Sequence, residues 1–486
     1  MAYEDTYFFS SQEALLVASQ KNKQDKYNLQ ICYYNGEKIK SDLVNLVHAP
    51  IENLVENLAL GIYRLPTSLN FSGLDISNEL REMIIENFKL SLEQAREARN
   101  KLNVYYLEFL REVKLDFSEP LRFYMQASAY TQVMQHILKN IAEVLKDMGY
   151  DVMFHLNYGV EDKACLKLLK EFNPHVLINI NHINNTVIGK DVFNFIWFQD
   201  SMPIVTNSEP LNLRKRDFLF ALLPGIQKLL EKKAKHCEIQ NFCINTKIYK
   251  QRKNIRRKKK IVFIGGSYLE NYMPYNSASN QSDISELLSD NTQKLFKEIQ
   301  EFYYSDGIFD LKVRDVLSRQ YNVSIHAINA YFIPLLIRDY TVIALCNQAS
   351  KIDYEIEIYG WGWEKYQELK PYYKGVLNYG EEISEVYNSA TYAIVAHPDY
   401  IIQQRTLEAA ASGCIPLVYD CRYSENVELP YYEESLVYFQ NLKELNSILT
   451  AEPYVKNLRL VVNDHSYEEF IRKLLAIIAE KESSIF

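Results

Sequence analysis

The sequence predicts an α/β protein made of two doubly wound parallel sheets, preceded by an extra N-terminal segment. Two observations carry this. From Leu121 onward, short apolar runs alternate with amphipathic helical stretches, the pattern of βαβ units. A second series starts at Ile261, where IVFIGGSY puts two glycines directly after a strand. Glycines at such a turn let backbone approach a phosphate.

Residues 1–119 read as a separate, mostly helical accessory module. It opens with a short helix from Ser11 and a strand over Asn28–Tyr34, followed by the tight turn Asn35-Gly36. Helical periodicity follows in Pro50–Leu60 and across Ser77–Val113, whose polar face alternates Glu with Arg and Lys. No catalytic constellation occurs here; acceptor binding, homo-oligomerisation and plain packing all fit it.

Residues 120–250 form the first Rossmann-like half. Strands are expected at Leu121–Gln126, Gly149–Leu156, His175–Asn181 and Asn194–Phe198, with helices over Tyr130–Met148 and Asp162–Phe172. Polar residues gather after two of these strands, at Asn181-His182 and Gln199-Asp200-Ser201. His182 or Asp200 can therefore serve as the base for an acceptor hydroxyl, or each can be an ordinary turn residue.

Residues 251–464 form the second half. Arg252–Lys260 holds seven basic residues in nine and reads as the connector between halves. It is either a solvated linker or a contact for an anionic membrane surface or acidic partner. The helical span 283–350 looks like an insertion. Tyr354–Tyr359 resumes the sheet and ends at Gly360-Trp361-Gly362-Trp363, where a nucleotide base can pack on backbone or the tryptophans can be core. Thr391–Ala396 is a buried strand, His397-Pro398-Asp399-Tyr400 a polar turn, Ile402–Ser412 a helix stopped by Gly413, and Ile415–Tyr419 the next strand. Open parallel sheets bind ligands at strand carboxyl ends beside helix N-termini. Arg405 and Glu408, three apart, share a helix face. Either the carboxylate takes ribose hydroxyls while Arg405 and the helix N–H groups at Gln404 face a diphosphate, or the two are an exposed ion pair.

Composition sets bounds. Hydrophobic residues at 48% and charged residues at 24% suit a soluble globular chain, and a formal charge of −8 argues against a general nucleic-acid binder. Seven cysteines without a C-x-x-C pair suggest free thiols in a reducing compartment. The opening MAYEDTYFF lacks a basic signal-peptide start, and no apolar run approaches the roughly 20 residues of a membrane span. The expected location is cytoplasmic.

HPDYIIQQRTLEAAASGCIPLVYD resembles the donor-site segment of GT-B glycosyltransferases, closest to the spore-maturation-protein type with its R-x-x-E-x-x-A-x-G pattern. IYGWGWE at Ile358–Glu364 and VLNYGEEISEVYNSATYAI at Val376–Ile394 are similar to flanking family segments, and WFQDSMP to a W-x-x-D-x-P stretch that favours Asp200 as the base. The resemblance implies two Rossmann-like domains facing a cleft, with a C-terminal helix (465–486) joined to the first. It implies a nucleoside-diphosphate-sugar donor site at Gly265, Gly266, Gly360, Trp361, His397, Asp399, Gln404, Arg405 and Glu408. It also implies hexosyl transfer to a protein or glycan acceptor without a further cofactor. No D-x-D occurs in the sequence, so metal-independent charge stabilisation is expected. Related retaining families carry a glutamate where Tyr400 stands, which leaves retention or inversion open. A non-catalytic glycosyltransferase-like scaffold and a nucleotide-sugar epimerase are the rival readings.

Overall fold

The computed structural model describes residues 6–8, 17, 30–32, 46–48, 53–71, 75–157, 164–269, 290–305, 307–422, 432–452, 454 and 456–482. The chain divides into two units. One comprises 1–220, 229–238 and 474–486; the other comprises 221–228 and 239–473.

The first unit begins with strands β1 (Thr6–Phe8), β2 (Gln30–Cys32), β3 (Leu46–His48) and β4 (Ser68–Asn70). They form a sheet in the order β3-β2-β1-β4 with every pair parallel. The sheet adds to the helices expected here, and β2 falls within the strand expected over 28–34. Each strand is three residues long, too short to leave a period-2 pattern. The expected helix start at Ser11 and the Asn35-Gly36 turn lie outside the described residues.

Residues 1–119 are not set apart. The helix Asn78–Glu112, 35 residues long, starts where the Ser77 hydroxyl accepts from the Leu80 N–H. Such an N-cap satisfies one of the orphan donors of the first turn. Leu92 and Ala95 on this helix join Tyr7, Leu54, Leu58 and Leu65 in one core. Leu110, near its other end, joins Tyr124, Leu166, Leu169, Leu177, Ile188 and Val192 in a second. One rigid element thus belongs to both cores, and the accessory segment groups with the sheet that follows.

That sheet contains β5 (Arg122–Ser128), β6 (Asp151–Asn157), β7 (Val176–Ile180), β8 (Phe193–Phe198), β9 (Asp217–Ala221) and β10 (Glu238–Ile239). Its order is β10-β9-β8-β7-β5-β6, and β6, β5, β7 and β8 run parallel. β7 and β8 are buried along their whole length. This is why they read as continuous apolar runs rather than as alternation.

The second unit holds β11 (Lys258–Ile264), β12 (Glu355–Tyr359), β13 (Ala390–Val395), β14 (Ile415–Tyr419) and β15 (Val437–Phe439). Neighbouring strands are parallel, in the order β12-β11-β13-β14-β15. Ile358 also bridges Tyr373 in parallel, adding a position beyond β12. Counted along the chain with that bridge, the order is 3-2-1-4-5-6, the dinucleotide-fold arrangement in which the winding reverses between the first and fourth strands. The reversal falls between β11 and β13.

The basic run before this sheet is not a solvated linker. Lys258–Lys260 are part of β11, Lys260 is buried and pairs with Glu357 at 2.8 Å, and Lys259 reaches Asp353 at 2.8 Å. Arg252 pairs with Glu381 and Glu385. Arg257 donates to the carbonyls of Ala390 and Ser412, the latter at 3.1 Å. Three of the seven cations are therefore paired with carboxylates inside the second unit, and a fourth, Arg257, is tied to backbone carbonyls.

The expected terminal helix is Tyr467–Lys481, and the division between units falls within it, after residue 473. Among the described residues one helix, Ile325–Asn347, is long and apolar enough to cross a membrane by length and composition, contrary to the sequence expectation. In the sequence, Arg338 and Asp339 interrupt this apolar run. Its most apolar stretch is 67% buried in the unit, as befits a core helix.

Candidate functional site

The carboxyl ends of β11 and β13 flank the reversal point of the second sheet, where the strands' opposite windings leave a crevice. Gly265 and Gly266 follow β11, and Gly360 follows β12. Gly360 has φ +128°, and a Cβ there would fall 2.1 Å from the Gly265 carbonyl oxygen. The Gly265 N–H donates to Tyr359 O at 2.9 Å, Ser267 N–H to Trp361 O at 2.8 Å, and Trp363 Nε1–H to Gly265 O at 2.7 Å. Gly265 and Gly360 therefore zip two loops of the protein together, which corrects the idea that they lie open to a donor. Gly266 is looser, with Trp361 O its nearest neighbour at 3.6 Å from an added Cβ. The two tryptophans divide: Trp363 is buried and Trp361 is 72% exposed.

The helix Ile325–Asn347 contains two π-helical segments, Ile328–Phe332 and Leu336–Tyr340. Such widened turns recur at functional sites because they re-aim side chains. Arg338, in the second segment, spans the reversal point. Its Nη1 donates to Gly266 O at 3.2 Å and its Nε to Ala396 O at 3.5 Å, while the guanidinium carbon stands 3.8 Å from the centre of the Tyr268 ring. Asp339 next to it is fully buried. It accepts from Ser267 Oγ at 2.5 Å, Tyr268 N–H at 3.0 Å and Tyr366 Oη at 2.8 Å. The glycine loop is thus anchored by Asp339 and crossed by Arg338.

His397 and Asp399 follow β13. The His397 Nδ1 accepts the Asp399 N–H at 3.2 Å, so the ring's proton sits on Nε2. Burial, reinforced by Arg338, pushes the imidazole down to about 3; the ring is neutral at physiological pH. Together with Tyr268, Ala330, Tyr331, Pro334 and Pro398 these residues line a cavity of about 200 Å³.

Tyr400 turns the other way. It is buried, and its hydroxyl donates to Asn241 Oδ1 at 2.6 Å, so it does not stand in the crevice in place of a glutamate. The helix Gln404–Ala411 starts from an extended Gln403 that makes no side-chain cap. It ends as expected: Gly413 has φ +80°, its N–H donates to Ala410 O at 2.9 Å, and Cys414 N–H to Ala409 O at 2.9 Å. These two bonds are a Schellman termination. Gln404 donates to Tyr379 Oη. Arg405 and Glu408 form an ion pair, but Glu408 is fully buried, and its Oε1 finds no hydrogen-bond partner among the described residues. The carboxylate expected to hold a ribose therefore faces inward and anchors Arg405, whose side chain is 31% exposed.

In the first unit, a cavity of about 550 Å³ of mixed polar and apolar lining lies at the ends of β7 and β8, lined by residues that include Asn181, His182, Asn184, Asn185, Met202 and Leu211. Asn181, at φ +61°, organises it: its Nδ2 donates to Asp200 Oδ2 at 2.7 Å, and its Oδ1 accepts the Gln199 N–H at 2.8 Å. Beneath it Asn179, Asn184, Asn194 and Asp217 are joined by hydrogen bonds of 2.7–3.2 Å, and Asp217 pairs with Arg214 at 2.7 Å. Asp200 and His182 are both exposed, and Asp200 is the better oriented of the two.

No protein-family model matches this sequence, and no curated protein matches it. Solved structures do. AviGT4, a glycosyltransferase involved in avilamycin A biosynthesis, aligns over 74% of this chain and 96% of its own, with 9% identity and a TM-score of 0.43. Sucrose-phosphate synthase from Thermosynechococcus elongatus aligns over 75% of this chain and 100% of its own, with 10% identity and a TM-score of 0.43. The GtfA/B complex aligns over 66% of this chain and 61% of its own, with 12% identity and a TM-score of 0.35. At such identities the likeness is one of backbone, and chemistry has to be argued from side chains.

Those side chains give the second unit a strand-end crevice with Arg338, Arg405, Asp399 and an uncapped helix N-terminus, and the first unit a cavity whose Asn181 orients the nearby Asp200 carboxylate. Tyr268, Arg338 and Asp339 escape sequence reasoning. The local signal for them is the Arg-Asp pair inside an apolar helix, since charges buried in such a setting are rare without a partner or a task.

Proposed function

We propose that the protein is a metal-independent glycosyltransferase that moves a hexose-type sugar from a nucleoside-diphosphate sugar to a protein or cell-surface glycan acceptor. The observation that carries this is the reversal point of the second sheet. There the glycine loop, the His397–Asp399 turn and the Arg405 helix converge on one strand edge. Departure of a nucleoside diphosphate leaves negative charge on its phosphates, and preorganised N–H donors and guanidinium groups stabilise it without a metal. Arg405, steadied from behind by Glu408, and the free N–H groups at Gln404 supply that field. His397 offers a neutral Nε2–H. In the first unit Asp200, steadied by Asn181, is the carboxylate placed to take a proton from an acceptor hydroxyl if the reaction inverts.

One observation favours a second reading. Neither Tyr400 nor Glu408 presents a polar group to the crevice, as a non-catalytic scaffold of this fold would allow. Titration calorimetry with UDP, GDP, TDP, ADP and CMP, without and with magnesium, separates the two. Binding of one nucleoside diphosphate, with the same affinity in both conditions, is the expected result. Absence of binding to any of them overturns the enzyme reading and leaves the scaffold.

A further inference from the structure

We infer that Arg338, from the π-helical segment of the core helix, is the guanidinium that receives the donor's diphosphate. This rests on the nucleotide-sugar reading above and assigns its anion site to a residue that no motif identifies.

Three features of the molecule lead there. The first is place. Arg338 bonds the carbonyls of Gly266 and Ala396, the residues at the two lips of the reversal point, so its charge stands in the crevice itself. The second is electrostatic. Among the described residues no carboxylate lies within ion-pair distance of Arg338. The adjacent Asp339 spends its oxygens on Ser267, Tyr268 and Tyr366. Two neutral carbonyls fix the guanidinium's orientation without cancelling its charge; Asp339 attracts it but makes no direct ion pair with it, and a half-buried cation with no carboxylate in direct contact is further stabilised when an anion arrives. Arg405 is the contrast: its direct pairing with Glu408 leaves it a weaker share of the field than Arg338. The third is the surroundings. The 200 Å³ cavity beside Arg338 brings the neutral His397 ring and the Tyr268 and Tyr331 side chains to the same spot. Asp399 lines that cavity too, and its negative charge opposes a phosphate beside it, which leaves for the anion the side of Tyr268, on whose ring Arg338 stacks.

The test uses the full chain and whichever nucleoside diphosphate the calorimetric panel identifies, together with the corresponding monophosphate. Arg338→Gln is expected to weaken the diphosphate by about 10- to 100-fold, the range for a hydrogen bond to a charged group. Monophosphate affinity should change much less, so that the preference for diphosphate collapses. Arg338→Lys keeps the charge but not the forked geometry, and should recover part of that preference. A merely structural arginine would lower melting temperature and both affinities in parallel, leaving their ratio at the wild-type value; that result overturns the assignment. Should the glutamine variant not fold, an unchanged ratio in the lysine variant overturns it equally. If the wild-type protein binds no nucleoside diphosphate, the donor reading itself fails, an outcome distinct from a wild-type protein that binds and an Arg338 variant that binds as well.

Discussion

The two parallel sheets carry their polar residues at the same address, the carboxyl ends of central strands, yet the chemistry differs. In the second unit that edge presents two arginines, a neutral imidazole, glycine backbone and one carboxylate, Asp399. In the first it presents amides and a carboxylate, while Arg214 beneath them is neutralised by Asp217. The same sheet architecture thus supplies a location, and the side chains decide which ligand suits it. Under the proposed function, a phosphate-bearing donor takes one edge and an acceptor hydroxyl that must lose a proton takes the other.

Mutations can break or sharpen this contrast. The largest effect is expected from Glu408→Ala, which leaves Arg405 half-buried and unpaired. It should cost about 3–5 kcal/mol in a denaturant titration, more than any change at the first unit's edge. Gly360→Ala follows: φ +128° and the contact with Gly265 O should cost about 3 kcal/mol and remove nucleotide binding with it. Gly375→Ala is the control, since φ is +97° but the space around it is open; it should cost about 1–2 kcal/mol. In the first unit, Asn181→Ala should cost about 1–3 kcal/mol and slow transfer to the acceptor while nucleotide affinity measured by calorimetry stays at the wild-type value. Equal loss of both would erase the division of labour between the edges.

Acid sensitivity sharpens it further. His397 is held down to about 3 and His465 to about 4, each mainly by burial. Their folded values lie below the unfolded value near 6.5, so the unfolded state binds more protons on the acid side. Stability is therefore intact above about pH 6.5 and falls as pH drops toward 4, by up to about 1.4 kcal/mol per pH unit for each ring. His397→Asn should flatten the slope of unfolding free energy between pH 6.5 and 5. The smallest effect belongs to Trp361→Ala, at an exposed ring: stability should move by less than about 0.5 kcal/mol, so any larger change in nucleotide affinity would mark a ligand contact.

Much of the sheet architecture is legible in the sequence because buried parallel strands are apolar throughout and helix ends carry their own signals. Ile415–Tyr419 and the stop at Gly413 are examples. The candidate site is legible only in its loops. His397 and Asp399 reach the cavity as the strand-turn-helix pattern suggests, whereas the direction of Glu408 depends on Tyr249 and Arg405 around it, which periodicity does not encode. Arg338 lies about 70 residues from the glycine loop it touches, inside a helix that reads as core. Residues 252–260 look like a solvated charge run because their counter-charges, Glu357, Asp353, Glu381 and Glu385, are about a hundred residues away.

The helix Asn78–Glu112 imposes a condition of phase on the first unit. Its rise is about 1.5 Å and its turn about 100° per residue. Adding one residue between Ala95 and Leu110 would swing one buried face away from its core while the other stayed seated. Seven added residues would nearly restore the angle but displace the far end by about 10 Å. At that end Gly189 already leaves only 2.5 Å between an imagined Cβ and the Leu110 carbonyl. Side chains on the exposed middle of this helix are therefore free to vary, but its length is not.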